Sequence, residues 1–506
     1  MEPDDAPSPV ELVVVGLLLT AGVVLRFATT SPLWLDEALS VHIAELPLAE
    51  LPEALRRDGH PPLYYALAHW WSGWFGTGDL AVRSLSGLLA LAIVPLVALW
   101  ARRRAGAVAA VWAAGLLAVL PFATRYATEA RMYALVMLLV AAGALVLDRV
   151  LERSGWIPVA GLAIVTGALL YTHYWAIWLL AVVGAGLVWR GVRAGPGPVR
   201  AGVIRAVVGL GAGGVLFLPW VPVLVDQLGS TGTPWADPVR PTAALATTLV
   251  DLAGGRVAAE SPLGAAVIAL LVVLGLLGRR RAPHQVVLDV RTEPTVRREA
   301  IVAVATVVLG SVVAFVGSSA FESRYAAVVV PAVVVAAGAG AATIPGPLRR
   351  ALVVGAMALV IAIGAVAGVV DQRTQAAEVA DAITAQAGAG GLVVVCPDQL
   401  GPSTVRALGD AYEVVRVPDL ADARFVDWRD YEARNAAIDP AELAERILAR
   451  SAGEPVLLVW AGGYKTFGTT CEALVGELGR SRPPDALLAA DGSRFFEPMA
   501  VYRFAG

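Results

Sequence analysis

Long apolar stretches recur along the first 370 residues of the chain. A helix needs roughly 20 apolar residues to cross the hydrocarbon core of a bilayer, which is about 30 Å thick. Runs of about that length predict eleven transmembrane helices, at residues 10–28, 80–101, 105–122, 132–149, 156–172, 174–190, 202–220, 262–278, 300–317, 326–345 and 351–369.

The composition supports this interpretation. The 506 residues are 57% hydrophobic and 16% charged, and the mean hydropathy is +0.68. Such values lie outside the range of soluble globular proteins, so they exclude a soluble enzyme and indicate a polytopic membrane protein. The first apolar run has an acidic flank and no small-residue cleavage site, so we expect a retained helix rather than a signal peptide.

Arginines occur mainly in alternate loops, and this asymmetry predicts the orientation. Short cytoplasmic loops are enriched in basic residues. With a cytoplasmic N-terminus, the inner loops carry Arg102, Arg103, Arg104, Arg149, Arg153, Arg190, Arg193, Arg200, Arg205, Arg279, Arg280, Arg281, Arg291, Arg297, Arg298, Arg349 and Arg350. The carboxylates Asp36 and Glu37 then lie outside.

One apolar segment, at 61–75, is shorter than a span, begins with two prolines and is rich in aromatic residues. We expect it to be an amphipathic helix in the outer interface, with its aromatic rings at headgroup depth. Those rings are Tyr64, Trp70, Trp71 and Trp74. The alternative is a short span, which would move the Arg102 cluster outside.

Beyond Val370 the apolar runs shorten to strand length. Strands are predicted at 391–398, 411–418, 454–462 and 495–504, with helices around 371–388, 401–409, 440–451 and 470–479. The sequence therefore predicts a mainly α membrane domain at 1–370, with a first outer loop at 29–79, and an extracytoplasmic α/β domain at 371–506. Cys396 and Cys471 could pair there.

Polar side chains recur where the outward-going spans end. Asp36, Glu37, Asp58 and His60 follow span one; Arg125, Tyr126, Glu129 and Arg131 follow span three; Tyr171, His173 and Tyr174 follow span five; Glu322, Arg324 and Tyr325 follow span nine. A single such set is commonly just solvated or anchoring. Four sets at one depth predict a reaction or binding site at the outer face.

Several of these residues have two interpretations each. Asp36 is a candidate general base, with Glu37 raising its affinity for a proton, or the pair caps a helix that begins after Pro32. His60, before two prolines, faces a phosphate or a metal, or is a structural histidine. Arg131 and Arg324 bind a phosphate, or snorkel at helix ends.

In combination these motifs resemble the GT-C superfamily of integral membrane glycosyltransferases. The resemblance rests on the Asp-Glu pair, HPPLYY, RYATEARMYAL and ESRY, and covers roughly residues 10–345. It is closest to the branch of protein O-mannosyltransferases and bacterial lipid A aminoarabinose transferases, although the latter have a lysine where this chain has His60.

The resemblance implies a function and residue roles. Asp36, with Glu37 adjacent, would be the catalytic base of inverting transfer of mannose or a pentose from a polyprenyl-phosphate donor to a hydroxyl of a glycan, glycolipid or protein. Donor phosphate binding is expected at Arg324, Arg131 and His60, and acceptor or metal binding at Glu129, His173 and Tyr325. Asp36 and Glu129 are candidate ligands of a divalent cation, Mg or Mn.

We therefore expect a glycosyltransferase of the bacterial plasma membrane that binds membrane lipids and no nucleic acid. A flippase or transporter of lipid-linked glycans is the main alternative, but it would place polar groups near the bilayer midplane. A non-catalytic receptor would leave the outer carboxylates unexplained.

Overall fold

The computed structural model describes residues 6–231, 233, 236–282, 285–291, 295–387 and 391–506. The chain forms two compact units. The first contains 1–29, 83–222 and 238–370, and the second contains 30–82, 223–237 and 371–506. The predicted boundary at Val370 coincides with a boundary between the units. The second unit also takes in most of the predicted first outer loop and a short segment around residue 230, which apolar patterning does not reveal.

The first unit is helical. Numbered along the whole chain, its helices are α1 Pro9–Leu25, residues 83–119 of α5 Asp79–Val119, α6 Pro121–Arg125, α7 Tyr133–Glu152, α8 Trp156–Thr172, α9 Ala176–Arg193, α10 Pro198–Phe217, α12 Pro241–Leu252, α13 Ser261–Leu277, α14 Arg297–Val316, α15 Val330–Thr343 and α16 Pro347–Val370. A hairpin of strands β1 Gly278–Ala282 and β2 Gln285–Leu288 follows α13.

These helices identify a membrane protein. Among the described residues, six helical stretches are long and apolar enough to cross a membrane, and α1, α8, α13 and α15 are shorter apolar helices. A helix lies at each predicted run. Two of the runs share α5, which is interrupted at Ala105 and Gly106, and Gly106 has a φ of 87° that favours glycine. The count of eleven membrane crossings stays a prediction.

Buried ion pairs hold the ends of the helices together. Glu11 of α1 accepts hydrogen bonds from Arg350 Nε at 2.5 Å, from Trp112 Nε1 at 3.0 Å and from the backbone N–H of Ser8 at 2.9 Å. Glu11 and Arg350 are both fully buried. Because an isolated buried charge is costly, this arrangement joins α1, α5 and α16 at one point.

A second ion network joins α5, α7 and α14 near the C-terminal end of α7. Arg104 contacts Glu299 at 2.5 Å and Asp148 at 2.8 Å, and Arg298 contacts Asp148 at 3.0 Å. Two arginines of the predicted inner loops are thus neutralised by two buried carboxylates from α7 and α14. Close packing supports the bundle: a Cβ on Gly213 of α10 would lie 2.4 Å from the Cβ of Thr166 on α8.

The second unit contains a small mixed sheet with flanking helices. Its helices are α2 Leu35–Glu45, α3 Leu51–Asp58, α4 Leu63–Phe75, residues 223–230 of α11 Val221–Ser230, α17 Ala376–Ala387, α18 Gly401–Leu408, α19 Tyr431–Ala436, α20 Pro440–Arg450 and α21 Thr470–Ser481. Its strands are β3 Gln372–Thr374, β4 Leu392–Cys396, β5 Glu413–Arg416, β6 Val456–Trp460, β7 Pro484–Leu488, β8 Phe495–Glu497 and β9 Ala500–Phe504.

Five strands are ordered β5-β4-β6-β9-β7, and β3 pairs with β8 in a separate ladder. The central strands are parallel, whereas β9 runs antiparallel to β6 and β7. Val393, Val395, Leu457 and Val459 pack with α17 in a buried core. This confirms an α/β region after Val370, and the structure also joins Cys396 and Cys471 in a disulfide.

The aromatic segment forms the short helix α4 in the second unit. Trp70, Trp74 and Phe75 are exposed, as a helix in a membrane interface requires. Tyr64 is buried beside Tyr65, with 6.2 Å between the ring centroids, because α4 packs this face against α2. The depth of the aromatic rings in the membrane interface stays a prediction.

Candidate functional site

In the second unit, the first turn of α2 carries the two adjacent carboxylates. Trp34 is the N-cap residue with extended backbone, and Asp36 and Glu37 follow in the first turn. No side chain caps this end, so the acidic residues complement the positive end of the helix dipole. This position agrees with the helix-capping interpretation and also allows a catalytic role, so both interpretations of the pair stay predictions.

The two carboxylates have different surroundings. Glu37 is fully buried and contacts the equally buried Arg373 of β3 at 3.2 Å. The backbone N–H of Arg373 donates to Ser31 Oγ at 2.9 Å, so this pair joins α2 to β3. Asp36 is half-buried. Partial exposure leaves Asp36 the better placed of the two to exchange a proton with a substrate.

A third carboxyl group, which sequence reasoning missed, lies close to this turn. Glu497 is buried at the end of β8, accepts a hydrogen bond from Ser403 Oγ at 3.0 Å, and is also bonded by Thr374 and the backbone N–H of Leu35. Burial, together with the neighbouring charge of Asp36, raises the pKa of Glu497 to about 8. The pattern of apolar and polar residues along FFEPMAVYRF does not indicate that Glu497 is buried beside Asp36.

His60 lies between α3 and α4. Gly59 ends α3 with a φ of 86°, and two prolines follow His60. The Nδ1 atom of His60 lies 2.9 Å from Asp58 Oδ2, which also accepts a 2.6 Å hydrogen bond from Tyr65 OH. A carboxylate in this position fixes the orientation of the imidazole ring.

In the first unit, the turn between α6 and α7 carries Glu129 and Arg131. Both side chains are buried. Glu129 accepts a hydrogen bond from Arg125 Nε at 3.2 Å. The backbone carbonyl of Arg131 accepts a 3.2 Å hydrogen bond from Ser86 Oγ of α5, which fixes this turn against the neighbouring helix. Buried charges held in this way are typical of functional membrane sites.

A chain of aromatic rings runs from this turn to the ESRY segment. Ring centroids are 4.6 Å apart for Tyr126 and Tyr133, 5.7 Å for Tyr133 and His173, and 5.5 Å for His173 and Tyr325. The structure thus brings together the polar sets that follow spans three, five and nine. They were expected at one depth, and the rings show that they are also in contact.

The ring of Tyr325 is held by two neighbours. Trp175 stacks on it at 5.4 Å, and the Arg324 guanidinium lies 6.0 Å from its centroid. Trp175 approaches α14 so closely that a Cβ on Gly310 would lie 2.3 Å from the indole. Trp175 was missed from sequence because it resembles an ordinary apolar residue inside a predicted span.

Three charged residues influence the pKa of the buried Tyr126 phenol. Burial raises its pKa well above the usual value, the Glu129 carboxylate adds to this, and Arg324 and Arg125 oppose it. Asp251 of α12, also missed, is bonded by Ser323 next to Arg324, and burial raises its pKa. The first unit therefore contains a mixed anionic, cationic and aromatic cluster, which we call the outer cluster: Tyr126, Glu129, Tyr133, His173, Arg324 and Tyr325.

Asp36 and Glu129 were considered as ligands of a divalent cation. Asp36 belongs to the second unit and Glu129 to the first. Among the described residues, no three His, Cys, Asp or Glu side chains are grouped so that they could hold a metal ion. A divalent cation stays a prediction, and no chemical step below depends on one.

Comparison with known proteins identifies the fold. No family model matches the sequence, and no curated protein matches it. Among solved structures, the chain is similar to ArnT from Cupriavidus metallidurans in the apo state, with a TM-score of 0.63 and 15% identity, covering 98% of each chain. The chain has a GT-C fold. ArnT bound to undecaprenyl phosphate gives a TM-score of 0.61.

Two other solved structures with the GT-C fold are similar over most of this chain. The oligosaccharyltransferase of Archaeoglobus fulgidus, tethered with an acceptor peptide, has a TM-score of 0.51 at 10% identity, covering 96% of this chain and 74% of that one. The arabinofuranosyltransferase AftD from Mycobacteria has a TM-score of 0.50 at 14% identity, covering 99% and 42%. These similarities confirm the fold that the sequence resemblance implied.

Proposed function

We propose that this protein is a membrane glycosyltransferase that moves a sugar from a polyprenyl-phosphate donor to an acceptor hydroxyl at the extracytoplasmic face. The observation that carries the proposal is the GT-C fold shared with ArnT over 98% of both chains, since one ArnT structure holds undecaprenyl phosphate. Glycosyl transfer also explains why charged and aromatic groups are buried together in the outer cluster of an otherwise apolar bundle.

Binding of the donor phosphate is assigned to Arg324 and Arg131. Guanidinium binds phosphate oxygens bidentately and keeps its charge at any physiological pH. Arg131 is buried and Arg324 is half-buried, so solvent screens their charges less than at an open surface. His60 is a further candidate, because the Asp58 carboxylate 2.9 Å from its Nδ1 atom holds the ring in place.

Proton transfer is assigned to Asp36. As the acceptor oxygen forms its bond to the sugar C1, the hydroxyl proton passes to the Asp36 carboxylate. The bond between C1 and the phosphate oxygen breaks, and polyprenyl phosphate leaves with the electron pair. The single displacement inverts the anomeric configuration. Glu37 is left out of this step because Arg373 already neutralises it within the fold.

The extracytoplasmic location follows from the arginine pattern and is supported by the disulfide between Cys396 and Cys471. Disulfides persist in oxidising compartments and are rare in the cytosol. The remaining assignments extend the resemblance: Glu129, His173 and Tyr325 would bind the acceptor, which is a glycan, a glycolipid or a protein. The transferred sugar is mannose or a pentose.

The test is transfer by the purified full-length protein. Radiolabelled mannose and arabinose on polyprenyl phosphate are supplied in parallel, with an envelope extract as acceptor. We expect one of the two to be transferred, and Asp36→Asn to lower the rate by about 10²- to 10⁴-fold. Glu53→Gln, which changes a 58% exposed carboxylate of the same outer segment, is the control and should change the rate less than about twofold.

Two results would contradict the proposal. Lipid translocation without transfer of either sugar would identify a transporter. Full turnover by Asp36→Asn, with transfer otherwise intact, would leave the glycosyltransferase function in place and rule out Asp36 as its base.

Arg324→Gln should raise the donor KM, because one cation that binds the phosphate is lost.

A further inference from the structure

A long apolar slot lies inside the first unit, between helices α7, α8 and α9. Its walls come from 140–151 of α7, 162–169 of α8 and 179–190 of α9, with further residues from α5, α10, α14 and α15, and its volume is about 200 Å³. The stretch of α9 that lines it rises about 16 Å along the helix axis. Gly186 and Arg190, both on its wall, are exposed, so the slot opens beside α9.

The slot has one charged end. Arg190, Arg298 and Glu299 line it there. Arg298 and Glu299 belong to the network with Arg104 and Asp148, in which two arginines balance two carboxylates. Arg190 is different, because no ion pair joins it to any carboxylate of the described residues. The end of the slot therefore carries one net positive charge from an exposed guanidinium.

Such a slot fits an amphipathic anion with an aliphatic chain. Protein interiors are close-packed, and apolar walls that lack a partner lose their dispersion contacts. In a bilayer the material available to fill a lateral opening is a lipid chain. Basic pockets between transmembrane helices on the cytoplasmic side are known to bind anionic lipid headgroups, and Arg190 lies on the arginine-rich side by the loop pattern.

The charged end is far from the residues assigned to the sugar donor. Arg131 precedes the first residue of α7, whereas Asp148, which joins the slot network, lies near its last turn. At 1.5 Å per residue, the two ends are about 25 Å apart. A phosphate at Arg190 is thus not the phosphate that leaves during transfer.

We propose that the slot binds an acyl chain of an anionic glycerophospholipid whose phosphate contacts Arg190. The site is independent of the proposed catalytic residues. It would fill the gap between α7, α8 and α9 on the arginine-rich side of the bundle and so hold these helices in place. A polyprenyl chain is the competing occupant, because the apolar end of the slot reaches Val328 and Val329, which follow Arg324 by a few residues.

The experiment measures lipid retention by the purified full-length protein with native mass spectrometry. Phosphatidylglycerol and phosphatidylcholine with identical acyl chains are supplied in equal amounts. We expect the wild type to retain phosphatidylglycerol about fivefold over phosphatidylcholine, the preference contributed by roughly one arginine at a membrane surface. Arg190→Gln should bring this ratio to about one without abolishing chain binding.

A matched pair of glycine variants tests the slot itself. A Cβ on Gly186 or on Gly184 would meet no atom within 4 Å, so leucine can be introduced on α9 at either position without a backbone clash. Gly186 lines the slot and Gly184 does not. We expect Gly186→Leu to lower retention of both phospholipids severalfold, and Gly184→Leu to behave as the wild type.

Three results would overturn the proposal. The first is equal retention of the two phospholipids by the wild type. The second is identical retention by the two glycine variants. The third is displacement of phosphatidylglycerol from the wild type by an equal concentration of undecaprenyl phosphate, which would assign the slot to a polyprenyl lipid. If Gly186→Leu does not fold, the ratio measured with Arg190→Gln still decides the question.

Discussion

The buried pair of Glu37 and Arg373 makes Glu37→Gln a sharp test of structural against catalytic roles. The two side chains are 0% exposed and 3.2 Å apart, so solvent does not screen them. Glutamine keeps the shape of glutamate but leaves the Arg373 charge without its counter-ion. Breaking one side of a buried pair costs about 3–5 kcal/mol. For a unit of about 200 residues, this lowers the Tm by roughly 6–20 °C.

Differential scanning fluorimetry of the purified protein measures this loss, and initial rates below the new Tm measure the catalytic effect. We expect Glu37→Gln to transfer sugar at close to the wild-type rate at a temperature where it stays folded. Asp36→Asn is the matched control, because it changes a half-buried carboxylate one residue earlier. It should shift stability by about 0.5 kcal/mol or less while removing most of the activity.

A structural role for Glu37 is refuted if Glu37→Gln keeps the wild-type Tm and loses activity 100-fold or more. That result would place Glu37 in the chemistry. The double change Glu37→Met with Arg373→Met gives a further check, since replacing both members of a buried pair by apolar side chains is often neutral or stabilising. The double variant should be more stable than Glu37→Gln.

Three further predictions concern stability. The pKa of Glu497 rises from 4.5 to about 8 in the fold. The protonated carboxyl therefore stabilises the folded state fully below pH 4.5, and this contribution is lost as the pH rises to about 8. The Tm should fall more between about pH 5 and 9 in the wild type than in Glu497→Gln. Gly310→Ala places a Cβ 2.3 Å from Trp175. It should lower the free energy of unfolding by about 1–3 kcal/mol and alter the tryptophan fluorescence. The control Gly214→Ala, where a Cβ meets open space, should leave both quantities nearly unchanged. Cys396→Ser removes the disulfide that closes a loop of 75 residues. It should lower the free energy of unfolding by about 4 kcal/mol in thermal melts. An unchanged Tm would contradict this prediction.

The membrane helices were predictable because an apolar run is a local property. The run at 156–172 and helix α8, Trp156–Thr172, have the same bounds. Strand β3 was wrongly predicted as part of a helix. Its three residues are too few to show whether apolar positions repeat with the period of a strand or of a helix. Strand β7 was missed because PDALL is largely exposed and lies at a sheet edge, where no alternation is required.

Sequence positions identified several residues of the candidate site, whose roles stay predictions, but not the contacts between them. Glu129, His173, Arg324 and Tyr325 were all identified from their positions at the ends of spans. The partner of Glu37 was not, because Arg373 is 336 residues away in the chain. Glu497 was missed for the same reason: its role depends on a parallel pairing of two short strands that a single sequence does not reveal.

The contact between Glu11 and Arg350 has a consequence for biosynthesis. The two residues are 339 positions apart, and ribosomes add about 5–20 residues per second, so the carboxylate is made roughly 20–70 s before its partner. Glu11 lies in the first turn of α1, so its carboxylate can stay solvated near the headgroups until Arg350 is made. The arrival of α16 then completes the burial of this carboxylate. Helix α16, which is made long after α1, thereby closes the bundle on it.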